Sequence, residues 1–187
     1  MEIDNIEQVL NYLIFKENEG YISYVFERPK DNGVIFSYSW QRDISLIRDA
    51  FVIKSKEDLL NIIDTLKSEC IKYNARAYIT TTRRVVGDLR GEIDTNTFAK
   101  IYGSVSEEKV TLYDVDGEYK HKTNQILDRI QDFDFKLKNT IVLPTPNGHH
   151  ILTRAVIPYN KIWYNFPGLF MSFMDGTVLY CNLREAK

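Results

Sequence analysis

The sequence is short of the features that identify many small proteins directly. It has two cysteines in 187 residues, Cys70 and Cys181, with no CxxC pair and no cysteine–histidine spacing suited to zinc. We interpret both as reduced core residues, with a single bridge as the alternative. Basic residues do not outnumber acidic ones, since there are 24 against 26 and the formal net charge is -2. This balance disfavours a protein that coats nucleic acid with a broad basic face.

The sequence also lacks long apolar runs. No stretch approaches the length of a membrane span, and the N-terminus carries acidic residues where a secretory signal is basic. We therefore expect a soluble, cytoplasmic protein with no membrane partner. A chain of 187 residues fits one domain, residues 1–187, which we divide into an N-terminal α/β part over about 1–105 and a motif-bearing part over about 106–187.

Helical periodicity predicts four helices. Apolar residues recur every three or four positions in 1–20, 56–73 and 124–130. Ser55, followed three residues later by Asp58, resembles the start of a capping box for the second of these. Asp94 predicts the start of a short fourth helix that reaches Lys100.

Runs of β-branched and aromatic residues predict strands at 21–26, 34–38, 76–82, 110–115, 140–143, 150–153 and 177–183. The first two of these should form a hairpin around a turn at 29–33. Interleaved strands and helices predict an α+β fold with a mixed, mainly antiparallel sheet and helices packed mostly on one face. We expect the last four strands to share one sheet, covered by the helices at 56–73 and 124–130.

Two carboxylates stand at the end of the best buried-strand candidate. Residues two apart on a strand point to one face, so Asp114 and Asp116 should converge while Val115 turns into the core. Two neighbouring carboxylates repel each other unless a counter-charge lies between them. Mg²⁺ or Mn²⁺ is the cofactor that hard oxygen ligands favour. The alternative is a polar strand end before the turn at Gly117.

A loop with two prolines and Gly148 delivers two histidines to the next strand, and Asn147 lies within it. His150 and Arg154 should share one strand face, with His149 on the other. An imidazole donor and a guanidinium fork are suited to phosphate. The alternative is one buried, satisfied histidine beside an exposed one.

Two further pieces complete the candidate set. Asp175 precedes an apolar strand at an Asp-Gly turn, and Arg83 and Arg84 end the strand at 76–82. Alone, the first is typical of a turn and the second of a solvated strand end. The two arginines are also candidates to clamp phosphates.

The order of these pieces resembles the archaeo-eukaryotic primase superfamily. Its first motif is a pair of aspartates on a strand, matched by Asp114 and Asp116. The second is a small-residue loop leading to histidine, which places His150 at the catalytic position. The third is a single aspartate, for which Asp175 is the candidate. The segments 74–84 and 175–180 also look like small primase-like proteins of bacteria and their phages.

This resemblance implies a primase-polymerase-like fold with an RRM-like C-terminal half, and a metal-dependent nucleotidyltransferase that acts in DNA replication. It implies that Asp114, Asp116 and Asp175 hold Mg²⁺ or Mn²⁺, and that these aspartates and His150 form the catalytic set. The nucleoside triphosphate would be bound by nucleotide-contacting side chains that the resemblance and the local pattern together assign: His150, Arg154, Arg83, Arg84 and Asn147. Single-stranded DNA or RNA would be the template.

Two other functions compete with this one. The segment from Asp114 to Gly117 also resembles the first motif of haloacid-dehalogenase-type phosphatases, with Asp114 as nucleophile and Asp116 as general acid. That family places the motif near the start of its domain and has threonine where this chain has Glu118. A non-enzymatic nucleotide- or nucleic-acid-binding relic of the primase fold is the other alternative. In it, the aromatic stretch at 159–170 would stack bases, unless that stretch is core.

Overall fold

The computed structural model describes residues 1–27, 46–172 and 176–182. Within these residues, helices and strands form two antiparallel sheets with helices packed against them. The predicted α+β class and the mainly antiparallel pairing are confirmed. The strand predicted at 34–38 and its turn at 29–33 lie outside the described residues.

The helices are α1 (Ile6–Tyr12), α2 (Lys56–Tyr73), α3 (Thr95–Tyr102), α4 (Thr123–Gln131) and α5 (Tyr159–Trp163). The strands are β1 (Glu2–Asp4), β2 (Glu19–Phe26), β3 (Ile47–Ile53), β4 (Arg76–Thr80), β5 (Arg84–Val85), β6 (Gly91–Ile93), β7 (Thr111–Val115), β8 (Thr140–Pro144), β9 (His149–Thr153), β10 (Phe170–Ser172) and β11 (Gly176–Asn182). The first sheet has the order β1-β11-β4-β2-β3-β6, with β5 paired to β2. The second has the order β10-β7-β9-β8.

Helix α2 spans the predicted residues. The hydroxyl of Ser55 accepts a hydrogen bond from the backbone N–H of Asp58 at 3.0 Å, so the predicted cap is confirmed. The prediction of one long helix over residues 1–20 is wrong, because residues 2–4 form β1 and α1 has only seven residues. Ile3 pairs with Cys181 of β11 and is buried, so sheet pairing outweighs the helical pattern there.

The expectation of one sheet for the last four strands is also wrong. Strands β7, β8 and β9 share the second sheet, whereas β11 lies in the first, between β1 and β4. Six of the seven β11 residues are buried, as expected for a strand covered on both faces. Strand β3 was not predicted from the sequence, because Arg48 and Asp49 interrupt its run of apolar residues.

The two sheets pack together through one shared core. Leu112, Leu152 and Leu143 of the second sheet join the cluster that contains Ile79 and Leu179 of the first. Burying such a side chain contributes about 1.5–3 kcal/mol. This core crosses the division drawn near residue 105, and it places the inner face of the second sheet against the first.

The outer face of the second sheet is covered by α4 and α5. Tyr113 and Ile151 of the sheet pack there against Ile126, Ile130 and Ile162 of the two helices. The chain order of this unit is β7-α4-β8-β9-α5-β10. Polar residues on the inner face of the sheet therefore look towards the first sheet, and those on the outer face look towards the helices.

Candidate functional site

Asp114 and His150 face each other on neighbouring strands. They are direct Cα partners in the antiparallel pairing of β7 with β9. The Nε2 atom of His150 lies 3.6 Å from Oδ1 of Asp114. The Asp114 side chain keeps 34% of its surface exposed, against 10% for His150. The carboxylate is therefore open to solvent on one side and backed by the imidazole on the other.

The imidazole of His150 connects the two sheets. Its Nδ1 atom lies at hydrogen-bonding distance, 3.0 Å, from Oγ1 of Thr177 on β11. Burial lowers the pKa of His150 to about 4, and the positive charge of Arg76 adds to that decrease. The ring is therefore neutral at pH 7.

The loop between β8 and β9 lies directly beside Asp116. The Thr145 hydroxyl donates to Oδ1 of Asp116 at 3.3 Å and accepts from the Gly148 N–H at 3.0 Å. A Cβ atom at Gly148 would stand 2.2 Å from the carbonyl oxygen of Val115. Only glycine lets the loop come this close to the end of β7.

His149 points away from this site, as the alternation along a strand predicts. Its Nδ1 atom lies 3.3 Å from the hydroxyl of Thr123 on α4, on the outer face of the second sheet. His150 points to the inner face and contacts Thr177. The predicted opposite orientation of the two histidines is confirmed.

The structure places two of the predicted metal ligands, Asp114 and Asp116, at the end of β7 and just after it. Asp114 lies in β7 opposite His150, and Asp116 follows the strand and contacts Thr145. Among residues 1–27, 46–172 and 176–182, no three His, Cys, Asp or Glu side chains form a group that could hold a metal ion. Asp175 lies outside the described residues, so its role stays a prediction.

Arg154 and Arg83 lie elsewhere. Arg154 follows β9 and is four residues from His150, roughly 13 Å along a strand. Its guanidinium stacks over the Tyr12 ring at 3.8 Å and lies 3.9 Å from Glu108. His150 and Arg154 are therefore too far apart to bind the same phosphate group, contrary to the prediction from the sequence.

Arg83 is held by the same acidic residue. Its guanidinium donates to Glu108 at 2.7 Å, to the carbonyl oxygen of Ile14 at 3.1 Å, and to Glu19. The Arg83 side chain is 3% exposed. Hydrogen bonds from Arg83 and then from Lys16 lower the pKa of Glu108 to about 2. These contacts form an ion-pair cluster around the buried Arg83, and its carboxylates, Glu19 and Glu108, keep 24% and 39% of their surface exposed.

The two remaining nucleotide-binding candidates are separated from each other. Arg84 is fully buried, with its guanidinium 4.8 Å from the centre of the Tyr102 ring. Asn147 is exposed in the loop between β8 and β9, close in sequence to His150. The structure thus places Asn147, but not Arg84, on the loop that borders the candidate site.

The aromatic stretch divides into core and surface. Ile162, Phe166 and Leu169 belong to the core under the second sheet, whereas Tyr164 is 80% exposed. A surface depression of about 490 Å³ lies on this helical side. It is lined by residues of α4, by the residue that follows this helix and by the segment after α5: Gln125, Asp128, Arg129, Asp132, Asn165 and Phe166. The depression does not include Asp114 or His150, whose chemistry makes theirs the better candidate site.

Comparison with family models, curated proteins and solved structures returns no match for this chain. None of the described helices is both long and apolar enough to cross a membrane.

Sequence reasoning missed the polar residues that orient the site. Thr177 contacts His150, and Thr145 contacts Asp116. Near the other end of β9, Glu108 lies beside both Arg83 and Arg154. A threonine in an apolar strand carries no strong signal by itself. The one available hint for Thr177 is a polar side chain in an otherwise apolar stretch, where burial requires a hydrogen-bond partner.

Proposed function

We propose that this chain is a metal-dependent nucleotidyltransferase of the primase-polymerase type, whose site lies between the two sheets at Asp114, Asp116 and His150. The observation that carries the proposal is the cross-strand pairing of Asp114 with His150, with 3.6 Å between their side chains. The sequence motifs only placed these residues in order along the chain. In the fold, Asp114 of the first motif and His150 of the second motif are neighbours on one face of the sheet.

The topology of the second sheet supports the proposal. Its element order, β7-α4-β8-β9-α5-β10, with the spatial order β10-β7-β9-β8, follows the split βαβ arrangement, in which both helices cover one face. RRM domains have a four-stranded sheet of this kind. The motif residues lie on the face that the helices leave uncovered, as an RRM-like half of a primase-polymerase would require.

The donor set fits a divalent cation. Asp116 has a hydroxyl as its side-chain contact and forms no ion pair with another described residue, while Asp114 is one-third exposed. Asp114 and Asp116 would hold Mg²⁺ or Mn²⁺ through oxygen, with Asp175 as the proposed third ligand. The ion, when bound, supplies charge neutralisation for transfer of a nucleotidyl group between oxygens. Mg²⁺ sites commonly use one or two carboxylates and complete the shell with substrate phosphate and water.

The protein's own groups position the substrate. A neutral imidazole donates a hydrogen bond without attracting a counter-ion, so His150 is suited to a phosphate oxygen held beside Asp114. Asn147, exposed on the neighbouring loop, is a second candidate donor. The proposed partners are a nucleoside triphosphate and a single-stranded DNA or RNA template, in the cytoplasm of a bacterium, with the protein encoded by the bacterium or by its phage.

A non-enzymatic nucleotide-binding protein is the second candidate. It is favoured by the absence of a three-residue metal group within the described part of the chain. Such a protein would bind a nucleoside triphosphate with Mn²⁺ but would not incorporate it. The phosphatase alternative leaves His150 without a role.

Incorporation of labelled nucleotides on a primed single-stranded template, with Mn²⁺, tests the proposal. Asp114→Asn should abolish incorporation, because it removes one charge from the metal site. Asp128→Asn, which alters an exposed carboxylate on α4, is the matched control and should keep full activity. If the unaltered protein bound the nucleotide without incorporating it, the second candidate would be favoured. If it neither bound nor incorporated the nucleotide, both candidates would be refuted.

A further inference from the structure

Thr177 is the residue through which the first sheet contacts the candidate site. It is the second residue of β11, it is 1% exposed, and its Oγ1 atom lies 3.0 Å from Nδ1 of His150. Its backbone pairs with Ile79 of β4 in the first sheet. A hydroxyl held on an interior strand, paired on both sides, is a rigid reference point for the imidazole ring.

The Asp114 carboxylate and the Thr177 hydroxyl together bear on which ring nitrogen of His150 carries the proton. Nε2 of the 10% exposed His150 stands 3.6 Å from Oδ1 of Asp114, longer than a hydrogen bond. A lone pair on Nε2 would face the lone pairs of the carboxylate, whereas an N–H presents the opposite partial charge. The Nε2–H tautomer is therefore favoured. Nδ1 is then the acceptor, and the Thr177 hydroxyl is the donor.

We infer that Thr177 is a positioning residue, which donates to Nδ1 of His150 and so fixes the ring with Nε2–H directed to the Asp114 side of the site. Within the described part of the chain, Nε2 forms no hydrogen bond, so this N–H is open to an acceptor oxygen. That the oxygen belongs to a nucleotide phosphate rests on the proposed function. The tautomer itself is a property of the protein alone.

Nuclear magnetic resonance of the three histidine side chains tests the tautomer without any ligand. Long-range ¹H–¹⁵N spectra distinguish a protonated from an unprotonated ring nitrogen, and variants of His121 and His149 assign the signals. We expect Nε2–H for His150 in the unaltered protein and in Thr177→Ser, and a mixture of tautomers in Thr177→Val. An Nδ1–H ring in the unaltered protein would overturn the inference, even if Thr177→Val failed to fold.

A matched variant separates this role from general packing. The hydroxyl of Thr123 contacts Nδ1 of His149 on the other face of the same strand. Thr123→Val should change the spectrum of His149 and leave that of His150 unchanged. If Thr177→Val left the His150 tautomer as it is in the unaltered protein, Thr177 would have no positioning role.

The affinity for ATP in the presence of Mn²⁺ provides the second readout. Thr177→Val should weaken binding about two- to tenfold, the effect expected for one hydrogen bond, while Thr177→Ser and Thr123→Val should change it less than twofold. Equal affinity in Thr177→Val and the unaltered protein would contradict the positioning role. If the unaltered protein bound no ATP but showed the expected tautomers, the proposed function would fail and the assignment of Thr177 would stand.

Discussion

The two ends of β9 carry similar residue types and use them differently. At its start, His150 stands opposite a one-third exposed Asp114, and the Gly148 loop comes against the end of β7. Past its other end, Arg154 stacks on a tyrosine and lies beside Glu108. At the first end the Asp114 carboxylate is partly exposed to solvent, whereas at the second end the charged groups pair with one another.

The second end shows how completely a polar cluster can be satisfied. Besides the arginine contacts, the buried Asp134 accepts hydrogen bonds from the backbone N–H of Asn139 at 2.9 Å and from the Thr140 hydroxyl at 2.6 Å. A carboxylate with such partners has little capacity left for a ligand. Charged residues near a strand end thus indicate a ligand site only where the fold leaves their atoms accessible.

The largest expected effect is on stability at the ion-pair end. Arg83→Met should lower the free energy of unfolding by about 3 kcal/mol, because it removes the hydrogen bonds of a buried guanidinium to Glu19, Glu108 and the Ile14 carbonyl oxygen. Arg90→Met, at an exposed arginine, is the control and should change it by less than about 0.5 kcal/mol. Urea unfolding measures both. A stable Arg83→Met protein that had lost ATP binding would instead assign Arg83 to the nucleotide site.

The two ends should also respond to acid in different pH ranges. The pKa of His150 is lowered from 6.5 to about 4, so the unfolded state takes up its proton first as the pH falls. The stability that His150 provides in its neutral form is therefore complete above pH 6.5 and is lost as the pH falls towards 4, by about 3 kcal/mol in all.

Glu108 contributes in a lower range. Its pKa is lowered from 4.5 to about 2, so its stabilising charge is fully present above pH 4.5 and is lost as the pH falls through 2. Unfolding free energies measured against pH, without metal, should show a flatter curve between pH 6.5 and 4 for His150→Gln. Glu108→Gln should flatten the curve below pH 4.5. Identical curves for the two variants would contradict the assigned environments.

A smaller effect tests the close approach of the loop to β7. Gly148→Ala should destabilise the protein by about 1–3 kcal/mol and weaken Mn²⁺ binding, because its Cβ would lie 2.2 Å from the Val115 carbonyl oxygen. Gly103→Ala is the matched control, since its φ of -78° suits alanine and no atom lies within 4 Å of the added Cβ. Calorimetric melting compares the two. Equal melting temperatures would show that the loop does not approach β7 so closely.

Much of the local structure could be predicted from the sequence. The helix α2 and its Ser55 cap follow from periodicity and one hydroxyl, and β7 from a short apolar run. The sheet to which β11 belongs could not be predicted, because an apolar strand fits either sheet. The same limit applied to the arginines. Alternation along the strand puts Arg154 and His150 on one face, but four residues of strand separate them. Arg154 instead lies beside Glu108, a residue distant in sequence.

Affinity for Mn²⁺ in the presence of ATP tests the central claim most directly. The comparison is between Asp114, beside the start of β9, and Glu108, near its other end. Asp114→Asn should weaken binding by at least about tenfold, roughly 1.4 kcal/mol, because Asp114 supplies one of the two proposed charges. Glu108→Gln should leave the affinity unchanged, because its carboxylate is already occupied by Arg83 and Lys16. Equal losses in both variants, or a loss confined to Glu108→Gln, would contradict the assignment of the site to Asp114 and His150.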